Sequence, residues 1–168
     1  RDGKVIEEFS TLINPEGPMD PGAQRIHGIT QEMVEHSPKF KRLAPKVVEL
    51  LEGKALVCHN ASFDVSFIQA ELSWAGYPMP VMPIIDTLSL ARRYFGFERN
   101  SLGFIAQTLG IENSGWHRAG NDVHILSKVF EKFLKAFAGK FETDCAYLKP
   151  PSMKKVRRVK TLDDLLRL

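Results

Sequence analysis

The sequence predicts an α/β domain, on three observations. Short apolar runs, Ala55-Leu56-Val57-Cys58 and Ile84-Ile85, alternate with longer stretches whose apolar residues recur at helical spacing. Gly and Pro mark the boundaries, at Asn14-Pro15, Gly53, Gly76 and Gly110. Hydrophobic residues make up 43% and charged residues 26% of 168, the balance of one globular domain with enough apolar material to bury a core.

Each element has its own signal. Val5 to Ile13 mixes β-branched and aromatic residues with polar ones and reads as a strand entered from the turn at Asp2-Gly3. Asn14 to Pro18 ends it, and a loop leads to Ile26-His27-Gly28-Ile29-Thr30, where Thr30 caps a short helix through Glu32 and Val34. Ser37-Pro38 supplies a cap and a first-turn proline for a helix running to about Leu51 and ending near Gly53, with Pro45 as an internal disturbance. Ala55 to Cys58 is a buried strand. Phe63, Phe67, Ile68 and Leu72 then mark a helix that Gly76 and Pro78 stop. After the Ile84-Ile85 strand, Asp86-Thr87 caps the next helix, and Ser101 to Leu109 forms another, closed by Gly110. The last clear helix runs from about Ala119 through Phe137, with Val123, Leu126, Phe130, Phe133, Leu134 and Phe137 on one face. Beyond Gly139 the pattern weakens. Pro150-Pro151 breaks it, the basic stretch Lys154 to Lys160 follows, and Thr161 to Leu168 has the makings of a short amphipathic helix. This divides the chain into a domain over 1–139 and a basic tail or linker over 140–168.

The net charge of +3 suits a polyanionic partner without requiring one. Two cysteines, Cys58 and Cys145, have neither metal-ligand nor disulfide-framework spacing, so a reducing cytoplasm is the expected compartment. No apolar run is long enough to span a bilayer, and no membrane partner is expected.

Three constellations have chemical potential. In His59-Asn60-Ala61-Ser62-Phe63-Asp64 a buried strand runs into a polar loop, and an acidic residue opens the next helix. Open α/β sheets gather ligands beyond the carboxyl ends of their strands, which places Asp64 where a carboxylate can face a metal ion or water. Alone, Asp64 reads as a charge that complements the helix macrodipole. In His117-Arg118-Ala119-Gly120-Asn121-Asp122 a loop histidine precedes a first-turn aspartate. An imidazole accepts a proton near neutral pH, but a surface histidine and another helix-end charge account for each residue alone. In Ile26-His27-Gly28-Ile29-Thr30 the isoleucines read as packing residues, or as an apolar face for a nucleobase.

Together with Asp86-Thr87, these blocks resemble in order and approximate spacing the DnaQ-like (DEDDh) 3'→5' exonucleases, the family that includes the proofreading subunit or domain of bacterial DNA polymerase III. The resemblance runs from about Asp2 to Phe137. It implies a ribonuclease H-like fold with a mixed central sheet flanked by helices. It also implies metal-dependent hydrolysis of terminal phosphodiesters of DNA, with release of nucleoside monophosphates. By the same resemblance, Asp64 and Asp122 hold two divalent cations, Mg²⁺ or Mn²⁺, and His117 is the general base. Phe63 and Ile26 contact the terminal nucleotide, with His27 beside them, and His59 and Asn60 shape the site. The implied partners are a single-stranded DNA 3' end and a DNA polymerase subunit.

One part of the pattern is absent. The family's first motif, Asp-x-Glu on the first strand, occurs nowhere in these residues, and Asp2, Glu7 and Glu8 are poor substitutes for it. The first two strands are missing with it. The chain is therefore expected to be a fragment of a longer protein or to be completed by another chain, since hard divalent cations want several oxygen ligands. Two alternatives remain: a catalytically incomplete module that binds nucleic acid or a polymerase, and an exoribonuclease of the same superfamily.

Overall fold

A computed structural model describes residues 4–112 and 119–138. The chain forms two compact units, Arg1–Ala55 with Ser62–Met82, and Leu56–Ala61 with Pro83–Leu168.

In the first unit, Asp20 caps α1 (Pro21–His27) by accepting the Ala23 N–H, and Gly28 closes it at φ 70°, a left-handed conformation that glycine adopts without strain. This helix occupies what the sequence reading takes for a loop. Its signals are an aspartate cap followed by proline at the first helical position. Thr30 caps α2 (Gln31–Glu35) through the Met33 N–H, as predicted. Helix α3 (Phe40–Leu51) starts after Lys39, not at Ser37, whose hydroxyl bonds back to the Met33 carbonyl in α2. Pro45 is accommodated inside it. Ala44 of α3 and Leu72 and Ala75 of α4 (Ala61–Ala75) form the core, with Phe40, Val47 and Ile68 packed around them.

Val5 to Ile13 forms no strand. A strand needs partners for its backbone N–H and C=O groups, and among the described residues the nearest ladder is a single parallel bridge, Asn14 to Lys39. The segment is tied down instead by an exposed ion pair from Glu7 to Lys46 of α3 at 2.8 Å. Val5 and Ile6 are exposed.

In the second unit, β1 (Leu56–Cys58) and β2 (Ile84–Asp86) pair in parallel, with Cys58 opposite Asp86. Among the described residues these two strands are the whole sheet, so the expected antiparallel component is not represented. Three helices follow: α5 (Thr87–Tyr94), α6 (Leu102–Thr108) and α7 (Ala119–Phe137). The stripe that α7 buries is Ile125, Val129, Phe133 and Phe137, four residues apart. Val123, expected on that stripe, is 65% exposed and falls off it. Phe133 stacks on Phe95 with ring centroids 4.2 Å apart, and Phe137 meets Phe95 edge-on at 5.6 Å.

Candidate functional site

The register of the parallel pair decides what gathers at its carboxyl end. With Cys58 beside Asp86, the chain leaving β1 (His59, Asn60, Ala61) meets the chain leaving β2 (Thr87, Leu88, Ser89). Thr87 is fully buried, and its hydroxyl donates to the Cys58 carbonyl at 3.0 Å. His59 is clamped from both sides, with Nδ1 2.9 Å from the Thr87 hydroxyl and Nε2 2.8 Å from the Asn100 carbonyl oxygen. A carbonyl can only accept, so Nε2 carries hydrogen and donates. This arrangement makes His59 a strut of the turn, in keeping with a residue that shapes a site.

Asn60 follows at φ 75°, the left-handed region that asparagine tolerates better than most non-glycine residues. The Asp86 carboxylate accepts the Asn60 N–H at 2.9 Å, the Leu88 N–H at 3.0 Å and the Ser89 hydroxyl at 2.8 Å. Burial raises the Asp86 pKa, but these bonds, with one from the Ala61 backbone, outweigh it and hold the carboxyl below the usual aspartate value. The predicted cap is therefore present, and the same carboxylate also reaches across to the β1–α4 turn. Sequence reading missed that second role, which depends on strand register.

The other predicted residues are placed as follows. Asp64 lies in the first turn of α4, half-buried, and Asp122 in the first turn of α7, also half-buried. Asp64 belongs to the first unit and Asp122 to the second. His117 lies outside the described residues. Phe63 is 59% exposed and Phe67 58%, with ring centroids 4.8 Å apart. They follow the helical spacing that marks α4, while Ile68 and Leu72 face its core. Ile26 is 67% exposed at the end of α1, which removes the packing reading for that residue. His27 is half-buried, and its Nδ1 accepts the Ile29 N–H at 3.0 Å, pinning the turn after α1.

Among the described residues, no three His, Cys, Asp or Glu side chains come together as a cation site. Asp64 and Asp122 alone do not fit a divalent ion, which wants more oxygen ligands than two carboxylates provide. No described helix is long and apolar enough to cross a membrane.

A parallel strand pair whose carboxyl ends run into a polar, hydrogen-bonded turn defines an α/β protein, and it is at that end of open α/β sheets that ligands generally gather. The family model described as exonuclease, RNase T, matches residues 1–130, and the chain belongs to that exonuclease family. The DnaQ-like resemblance read from its motifs stands. The 3'-5' exonuclease DinG of Bacillus subtilis (strain 168) is 32% identical over 158 residues, covering 94% of this chain and 16% of that protein. DNA polymerase III subunit epsilon of Pasteurella multocida (strain Pm70) is 36% identical over 127 residues, covering 73% of this chain and 50% of that one. The chain thus spans half or less of these relatives' length. Among solved structures, exonuclease X in complex with 5' overhanging duplex DNA superposes with a TM-score of 0.65 at 27% identity, over 81% of this chain and 78% of that one. The fold is accordingly that of the ribonuclease H-like exonucleases.

Proposed function

We propose that the chain is the nuclease body of a 3'→5' exonuclease that trims single-stranded DNA to nucleoside monophosphates in proofreading or repair, in the cytoplasm, dependent on Mg²⁺ or Mn²⁺. The observation that carries this reading is the exonuclease-family match over residues 1–130, which includes every motif block singled out above. In this reading Asp64 and Asp122 are the carboxylates this chain contributes toward the cations. The remaining oxygen ligands come from outside the described residues. His117 accepts the proton of the attacking water. The exposed rings of Phe63 and Phe67 and the exposed Ile26 side chain support an apolar surface for the terminal base. A DNA polymerase subunit is the proposed protein partner, supported by the likeness to the epsilon subunit. The division into a nuclease domain over 1–139 and a basic tail over 140–168 is part of the same proposal.

A binding module without catalysis is the second reading. It is favoured by the absence, among the described residues, of any three metal-ligating side chains together. A single assay separates the two. The natural full-length protein is incubated with 5'-labelled single-stranded DNA, with Mg²⁺, Mn²⁺ or a chelator. Stepwise shortening from the 3' end that stops with chelator, and disappears in Asp122→Ala, is expected. DNA that is bound but left intact under both metals contradicts the nuclease reading. A parallel RNA strand distinguishes an exoribonuclease.

A further inference from the structure

One aspartate at this site does more than its local role requires. A helix cap at Asp86 needs one acceptor oxygen, and serine or asparagine serves as well there. Yet its carboxylate accepts from the Asn60 N–H, 26 residues away, as well as from its own cap position at Leu88. The Ala61 backbone bonds to it too. Ala61 is the first residue of α4 and Thr87 the first of α5. One carboxylate therefore satisfies N–H groups at the start of both helices, groups that have no partner within a helix. The pairing of Cys58 with Asp86 makes this reach possible. Asn60 holds a left-handed backbone, which costs something in any residue but glycine, and its N–H donates to Asp86.

Where a helix begins sets the direction of every side chain in its first turn. A start displaced by one residue rotates the later positions by about 100° around the axis, since an α-helix has roughly 3.6 residues per turn. The first turn of α4 carries Phe63 and Asp64. We propose that Asp86 is a positioning residue of the nuclease site: it fixes the start of α4 and so aims Asp64 and Phe63. Its effect on catalysis rests on the nuclease reading above.

Asp86→Ser separates the two roles. Serine keeps an acceptor for the Leu88 N–H but is too short to reach Asn60. Three properties are measured on wild type and variant: melting temperature, amide exchange at Asn60 and Leu88, and kcat, KM and half-maximal Mn²⁺ concentration on single-stranded DNA. The proposal expects cooperative melting, slow exchange kept at Leu88 and lost at Asn60, kcat lower by roughly 10- to 100-fold, and a raised Mn²⁺ requirement. Asp86→Asn, which keeps an acceptor of the same reach, restores part of each. Wild-type kcat and Mn²⁺ response in Asp86→Ser overturn it, as does unchanged exchange at Asn60. If wild type itself has no nuclease activity, that reading fails, and the Asn60 exchange still decides whether Asp86 holds the turn. If Asp86→Ser does not fold, Asp86→Asn carries the comparison. Partial loss of kcat with slow Asn60 exchange retained in part supports the proposal, and full loss of kcat with wild-type exchange at Asn60 overturns it.

Discussion

Asp86 shows how far a single residue can be read from sequence. Its place before Thr87 at the end of an apolar run announces a helix cap, and the cap is there. Its bonds to Asn60 and Ser89 are equally real but depend on tertiary register. The same holds for His59, whose partners are 28 and 41 residues away. A pH dependence follows from Asp86. Its folded pKa lies below the ordinary value, so it stabilises the fold fully above the unfolded aspartate pKa of about 3.9. That contribution is lost as pH falls through the lower folded value. Urea midpoints measured from about pH 5 to about pH 2 should fall less steeply in Asp86→Asn than in wild type. Parallel curves would show that the carboxylate contributes nothing to acid stability.

At the scale of elements, the features that local pattern specifies were legible: the Thr30 cap, the α4 helix, β2 and the extent of α7. Those decided by partners were not. Val5 to Ile13 has strand composition, but composition cannot supply a neighbouring strand. Phe63 and Phe67 follow helical spacing yet stay exposed, because the spacing identifies a face without saying what covers it. In α7 the buried stripe falls on Ile125, Val129, Phe133 and Phe137, partly displaced from the stripe read in sequence. The Phe95–Phe133 stack is the centre of that packing, with Phe133 fully buried. Phe133→Ala should destabilise the protein by about 3–5 kcal/mol in denaturant unfolding. A loss below roughly 1 kcal/mol would mean that the site collapses around the gap or that the ring is not packed as described.

For the molecule as a whole, four weak motif blocks in the right order led to the family that the comparison over residues 1–130 establishes. The blocks are legible because each pairs a polar or acidic residue with a strand end or helix start, where backbone geometry offers it a task. The proposed cation site is not legible in the same way: among the described residues no three His, Cys, Asp or Glu side chains come together. The matched segment makes up 16% of the Bacillus subtilis relative and 50% of the Pasteurella multocida one. The central claim is that this chain performs phosphodiester hydrolysis through its own side chains, beyond holding a strand. The most direct test measures DNA binding and single-turnover hydrolysis side by side in wild type and His117→Ala of the natural full-length protein. The account predicts unchanged binding, by fluorescence anisotropy, with hydrolysis reduced by roughly 10²- to 10⁴-fold. Hydrolysis at the wild-type rate in His117→Ala would contradict it.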